Sequence, residues 1–114
     1  MSSLKIVSLN TNGLRTKEKT QRFIIELNRH NADIVTAIDT RLDDESLRYL
    51  KNYLPNYKIF GTSKDLASRG TAVLFNKNKP FEIIDVHYSP CTNYTLIKFK
   101  YEIKSTAKMH TFPL

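Results

Sequence analysis

The order and patterning of this chain predict an α/β fold: one mixed sheet with two helices outside it. Three observations carry the prediction. Apolar runs alternate with amphipathic segments as β-α-β-α, after which strands dominate. The first two runs and Thr71-Ala72-Val73-Leu74-Phe75 are apolar on both faces, the pattern of strands that need cover above and below. The first two runs also stop abruptly at polar groups, Asn10-Thr11-Asn12-Gly13 and Asp39-Thr40-Arg41. Open α/β sheets place their ligands at such strand ends.

Taken in order, Leu4 to Leu9 reads as strand one. Thr16 to about Asn31 is helical, with Phe23, Ile24 and Leu27 on one face and Lys17, Lys19, Arg22 and Arg29 elsewhere. Thr16 suits the N-cap, although Lys19 stands where a capping box would carry Glu. Asp33 to Ile38 is strand two. Asp43-Asp44-Glu45 opens a second helix, acidic in its first turn as the helix dipole favours. Leu47, Leu50 and Leu54 form its buried stripe, and Pro55 stops it. Four more strands follow: Tyr57 to Phe60, Gly70 to Phe75, Phe81 to Tyr88, and Tyr94 to Ile103. In the last, Ile97, Phe99, Tyr101 and Ile103 share one face, with Lys98, Lys100, Glu102 and Lys104 on a wet opposite face. Lys64 to Arg69 is a polar loop. Two helices can cover only one face of such a sheet, so the other face awaits a partner or further chain.

The 114 residues form one domain, 1–114. The net charge of +7 suits a polyanionic partner, nucleic acid or an anionic membrane surface, and on charge alone the plainer reading, that surplus Lys only aids solubility, weighs equally. Cys91 is alone, which excludes an internal disulfide and a thiolate zinc site. No apolar run nears the roughly 18 residues that span a bilayer, and Met1-Ser2-Ser3 leads directly into strand one. An intracellular protein, nuclear or cytoplasmic, without a membrane partner is expected.

The chemistry-bearing residues each have two readings. Amide oxygens of Asn10 and Asn12 on a rigid strand end suit Mg²⁺, yet Asn-Gly is also a common turn dipeptide. Asp39 could hold a metal and Arg41 a phosphate, or the pair could be an Asx-turn with a solvated Arg. In Ser68-Arg69-Gly70, Arg69 could reach a backbone phosphate while Gly70 allows close approach, or the segment is a simple turn. Arg15, Lys17, Lys19 and Arg22 could grip phosphates or form a solvated helix face. His30, His87 and His110 are candidate general bases, with Asp85 and His87 on one strand face, but surface roles suit them as well. Tyr88 and Tyr94 could stack on bases or pack at an edge. The pairing of two motifs at corresponding ends of adjacent strands favours a site.

Leu9-Asn10-Thr11-Asn12-Gly13-Leu14-Arg15 resembles the opening motif of the endonuclease/exonuclease/phosphatase superfamily. Within it, the chain is most similar to the apurinic-endonuclease-like domains of non-LTR (LINE-type) retrotransposons. There an N-x-N-G-L-R strand end is followed by a helix, a strand ending in L-Q-E-T, and later S-R-G-V-A-I-L. Asp33-Ile34-Val35-Thr36-Ala37-Ile38-Asp39-Thr40-Arg41-Leu42 takes the second place and Ser68-Arg69-Gly70-Thr71-Ala72-Val73-Leu74 the third, in the same order and spacing.

The resemblance implies a four-layer α/β/β/α sandwich, of which this chain would be the N-terminal half, one mixed sheet with two outer helices. It implies a DNA endonuclease that hydrolyses phosphodiester bonds with Mg²⁺ or Mn²⁺. Asn10 and Asp39 carry over as catalytic residues, and Asn10, Asn12 and Asp39 as metal ligands. Asn12, Arg15, Lys17, Arg41 and Arg69 would contact nucleic acid. Two departures stand out. Ile38-Asp39 replaces the family's Gln-Glu, giving a shorter carboxylate without the orienting amide. The family's later Tyr, D-x-N and Asp-His motifs have no counterpart here. The chain is therefore expected to be an incomplete portion, inactive alone, that binds nucleic acid or associates through its uncovered sheet face with a second copy or a complementing fragment.

Overall fold

The computed structural model describes residues 4–14, 16–62, 69–89 and 94–102. Eight elements run in the order β1 (Ile6–Asn10), α1 (Lys17–His30), β2 (Ile34–Ile38), α2 (Asp44–Tyr53), β3 (Tyr57–Gly61), β4 (Thr71–Asn76), β5 (Phe81–Tyr88) and β6 (Thr95–Tyr101). Every expected element is present, with ends among the described residues shifted by at most two; Ile103, Lys104 and most of the loop from Lys64 lie outside the described residues.

Local chemistry sets the helix ends. The Thr16 hydroxyl accepts from the Lys19 amide at 3.3 Å, and the Asp43 carboxylate accepts from the Ser46 amide at 2.7 Å. Each side chain thus satisfies an N–H that the helix itself leaves without a partner. Asn31 closes α1 in the left-handed region (φ 48°), its amide donating to the Leu27 carbonyl. α2 ends at Leu54, whose amide donates to the Leu50 carbonyl at 3.0 Å, and Pro55 cannot extend it.

The main sheet has the order β1-β2-β4-β3. β1 and β2 are parallel, and β4 is antiparallel to both of its neighbours, so the sheet is mixed. One face packs on the helices. Val35, Ala37, Ile59, Ala72 and Leu74 join Phe23 and Leu27 of α1 and Leu50 and Leu54 in a single core. Leu50 and Leu74 are almost wholly buried, and each contributes roughly 1.5–3 kcal/mol by leaving water.

The other face is only partly covered. β5 and β6 form a separate two-stranded sheet laid against β4. The Phe75 ring meets Phe81 and Phe99 edge-on, with centroids 5.2 and 5.3 Å away. At the other end, the Thr71 and Thr95 hydroxyls are 2.6 Å apart. A register shift between Ile83 and Asp85 leaves Ile84 without a partner. That extra residue swaps the alternation, so Val86 and Tyr88 join Phe81 and Ile83 on the face turned to the main sheet. Lys98, Lys100 and Glu102 stay exposed on the opposite face, as the alternation of the last strand predicts. Over β1 and β2 there is little cover: Ile6 is 60% and Ile38 53% exposed. No helix among the described residues is long and apolar enough to cross a membrane.

Candidate functional site

The parallel pairing of β1 with β2 brings Asn10 beside Ile38, and the antiparallel pairing of β2 with β4 brings Ile38 beside Thr71. Three loops therefore meet at one corner of the sheet: 10–14, 39–42 and 69–70. Backbone bonds lace them together. The Thr11 amide donates to the Ile38 carbonyl, Gly13 to Asp39 at 2.7 Å, and Leu14 to Thr40 at 2.8 Å. From the other side, Thr40 donates to Gly70 and Arg41 to Arg69 at 2.8 Å. The Thr11 hydroxyl adds bonds to the carbonyls of Ile38 and Asp39.

The corner concentrates backbone strain. Seven described residues have positive φ, and six of them lie here: Asn12, Gly13, Asp39, Arg41, Arg69 and Gly70. The seventh, Asn31, is the α1 cap. A left-handed conformation costs a non-glycine residue on the order of 1 kcal/mol or more, less for Asn and Asp than for Arg. The lacing bonds, each contributing about 1 kcal/mol net, hold the loops in this state.

The two glycines are there for space as well as conformation. A Cβ on Gly70 (φ 99°) would stand 2.7 Å from the Thr40 hydroxyl and 3.1 Å from the Arg41 amide. A Cβ on Gly13 (φ 94°) would stand 3.3 Å from Arg41 Cδ, because the Arg41 side chain lies across Gly13.

Asp39 and Arg41 form a two-pronged ion pair. Arg41 Nε donates to Asp39 Oδ1 and Arg41 NH2 to Oδ2, both at 2.9 Å. The Arg69 amide donates to Oδ1 as well, at 3.1 Å. The Arg41 hydrogen bonds, joined by that from Arg69, hold the Asp39 carboxyl below the usual carboxylate range, and the charges of Arg41 and Lys19 act the same way. The same pairing raises the Arg41 guanidinium above its ordinary value.

The other expected residues fall as follows. Asn10 is exposed, and its Oδ1 accepts from the Asn12 amide at 3.1 Å, an Asx-turn. Asn12 is exposed at the loop tip, its carbonyl accepting from Lys19 Nζ at 2.9 Å. Lys19, at the position where a capping box would carry Glu, thus reaches back to a loop carbonyl and adds a cation to the corner. Arg69 is exposed. Lys17 borders a groove of about 380 Å³ with Leu14, Thr20, Ser46 and Tyr49, whose far side carries Asp43 and Glu45. Arg15, Ser68, His110 and Cys91 lie outside the described residues.

The remaining histidines are not at the corner. His30 sits at the other end of the sheet, where its carbonyl accepts from Lys5 Nζ and its ring lies 3.4 Å from Glu26. His87 pairs with Leu96 on the outward face of the β5–β6 sheet. Thr11 was not singled out by its sequence. Its position between two site Asn residues was the available signal, and the two carbonyls it binds make it the clamp between β1 and the loop after β2.

The donors at the corner do not fit a divalent cation in this arrangement. Asp39 is the one carboxylate of the three loops, and three N–H groups already bond to it. The described residues contain no group of three or more His, Cys, Asp or Glu side chains that could hold a metal ion. Mg²⁺ requires six oxygens in near-octahedral array and loses its waters reluctantly. The metal-ligand expectation for Asn10, Asn12 and Asp39 therefore meets an obstacle in Arg41, which fills the cationic position beside the carboxylate.

The architecture matches solved structures. D. rerio TDP2 complexed with a single-strand DNA product aligns with a TM-score of 0.68 and 20% identity, over 86% of this chain and 41% of that one. An endonuclease/exonuclease/phosphatase family protein from Bacteroides thetaiotaomicron aligns with a TM-score of 0.64 and 17% identity, over 88% and 44%. The fold is that of the endonuclease/exonuclease/phosphatase proteins. An AP endonuclease from Archaeoglobus fulgidus shares it, with a TM-score of 0.58 and 21% identity, over 80% of this chain and 34% of that one. The chain spans less than half the length of these endonuclease/exonuclease/phosphatase structures. No protein-family model and no curated protein matches it.

Proposed function

We propose that this chain is the nucleic-acid-gripping part of a phosphodiester-cleaving domain of the endonuclease/exonuclease/phosphatase kind, with DNA as its partner and a retrotransposon-type endonuclease as its functional setting. The observation that carries this is the convergence of three strained loops, two of them bearing the arginines Arg41 and Arg69, at the carboxyl ends of β1 and β2. In this reading Arg41, Arg69 and Lys17 contact backbone phosphates, together with Arg15. Asn12 presents its loop to the strand, and Asn10, its oxygen already engaged, offers its amide N–H groups to a phosphate oxygen. Asp39 acts by holding Arg41. The DNA bound to a TDP2 structure of the same fold supports DNA as the ligand.

Hydrolysis in a complete enzyme of this kind sets water against the phosphodiester. No described residue at the corner is placed to take the proton from that water, so strand scission belongs to groups beyond these loops. The Mg²⁺ or Mn²⁺ of the superfamily would be held with those groups.

The test is fluorescence anisotropy with labelled single- and double-stranded oligonucleotides at rising salt, alongside plasmid nicking in Mg²⁺. Binding should weaken steeply between about 50 and 200 mM salt, as phosphate contacts demand. Nicking by the pure chain should be absent. Salt-independent binding would defeat the phosphate reading, and Mg²⁺-dependent nicking would return cleavage to the chain itself.

A second reading rests on the uncovered sheet face, where Ile6 and Ile38 are more than half exposed. There the chain would associate with a second copy or a complementing fragment. Sedimentation that stays monomeric at every concentration would count against it.

A further inference from the structure

The position beside Asp39 is already cationic. Arg41 fills it with a delocalised charge, and both loops are built around that side chain. Gly13 is bare where Arg41 crosses it, and Arg41 itself is held at φ 51°. We infer that the Arg41 guanidinium, clasped by Asp39, binds a backbone phosphodiester directly at the place a divalent cation would otherwise occupy, so that phosphate binding at this corner needs no metal.

The donor count supports this. A guanidinium carries five N–H donors in a planar fork. Two of Arg41's, on Nε and NH2, go to Asp39. The remaining edge, NH1 with the second hydrogen of NH2, has the spacing for two phosphate oxygens. The side chain is 32% exposed, so this edge is not sealed off.

Charge points the same way. The charges of Arg41 and Lys19 both act on a single carboxylate, Asp39. Asp39 cancels one of these two cations and leaves an excess of one, which suits the single charge of a phosphodiester. By fixing the guanidinium in advance, Asp39 also removes much of the rotamer entropy that binding would otherwise cost.

This inference rests on the nucleic-acid reading above, and the experiment separates the two. A labelled single-stranded oligonucleotide is titrated with the chain in EDTA and again in Mg²⁺. The two affinities should agree within about twofold, and Arg41→Asn should weaken both by roughly 10- to 100-fold, the worth of a charge-assisted bidentate contact. Asn tolerates the left-handed backbone at position 41, so this variant keeps the loop, and far-UV circular dichroism checks that it does. Arg41→Lys should recover only part of the loss, since an ammonium cannot serve Asp39 and a phosphate bidentately. A Mn²⁺ titration followed by electron paramagnetic resonance should show tighter Mn²⁺ binding to Arg41→Asn than to the parent chain, because Asp39 has been released.

Binding that requires Mg²⁺ would overturn the inference and leave the nucleic-acid reading standing, as would a folded Arg41→Asn of unchanged affinity. Absence of oligonucleotide binding under every condition would overturn both.

Discussion

Replacing Gly70 by Ala tests the packing of the corner most directly. The new Cβ would stand 2.7 Å from the Thr40 hydroxyl and 3.1 Å from the Arg41 amide, where ordinary contact needs about 3.4 Å or more. Neither neighbour yields easily. Thr40 is fully buried, and the Arg41 amide is fixed by its bond to the Arg69 carbonyl at 2.8 Å. Overpacking of this kind costs roughly 1–3 kcal/mol. The φ of 99° adds roughly 1–2 kcal/mol for any residue with a Cβ. The expected loss is about 2–5 kcal/mol, a large share of the 5–15 kcal/mol that holds a typical domain folded. Urea unfolding followed by circular dichroism measures it. Gly61→Ala is the control: its φ is not positive, and its Cβ would meet Leu47 Cδ1 at 3.3 Å and Ala72 Cβ at 3.4 Å, so it should cost clearly less. Thr40→Ala removes the atom in the way, a buried hydroxyl without a hydrogen-bond partner. It should therefore recover part of the Gly70→Ala loss, as a favourable coupling in a double-mutant cycle. Equal stability of Gly70→Ala and Gly61→Ala, or strict additivity with Thr40→Ala, would refute the reasoning.

Three further outcomes are expected. Asp43→Ala should destabilise by about 1 kcal/mol and by more than Thr16→Ala, since its capping bond is 2.7 Å against 3.3 Å and its charge favours the helix N-terminus; chemical denaturation of both variants decides this. Because Asp39 titrates below its ordinary 3.8 in the folded chain, its contribution is present above that value and is lost as pH falls through the lower folded value. Acid unfolding of Asp39→Asn should accordingly differ from the parent at neutral pH and converge with it at the acid end; a constant difference at every pH would contradict this. Deleting Ile84 should remove the extra residue and leave Phe81, Ile83, Val86 and Tyr88 in plain alternation on one face, so the β5–β6 sheet should keep its seat on Phe75 with amide exchange unchanged or slower; faster exchange there would contradict the bulge's role.

The elements were legible in the sequence because their signals are local. Thr16 and Asp43 announce helix starts, Pro55 a stop, and Phe99 to Glu102 a half-wet strand, and each holds in the structure. The adjacency of Asn10 and Asp39 followed from a parallel β-α-β reading, which short alternating elements make nearly obligatory. Three features were not legible. The bulge at Ile84 has no marker such as Gly, and simple alternation would have put Val86 on the wrong face. The clasp of Asp39 by Arg41 depends on left-handed backbones at both residues, on either side of Thr40, a conformation that no propensity favours at Arg. Lys19 offered a negative signal, a capping box without its Glu, whose meaning became clear only when its side chain met the Asn12 carbonyl.

The placement of strain separates structural from functional demand at the corner. Asn12 and Asp39 adopt left-handed backbones at modest cost, because short polar side chains tolerate them, but Arg41 and Arg69 do not share that tolerance. Arg69 is the cleaner case, being exposed and engaging the corner through its backbone. Arg69→Gly should relieve roughly 1–2 kcal/mol of conformational strain against roughly 0.5–1 kcal/mol lost to glycine's flexibility. The folded state should therefore be unchanged or slightly more stable. Oligonucleotide affinity should nevertheless fall and its salt dependence become shallower by about one phosphate contact. Stability and binding moving in opposite directions would mean that this chain holds an arginine where its fold prefers glycine, for the sake of what the arginine binds. A variant that loses stability while keeping its affinity would reverse that conclusion, making the Arg69 side chain part of the scaffold.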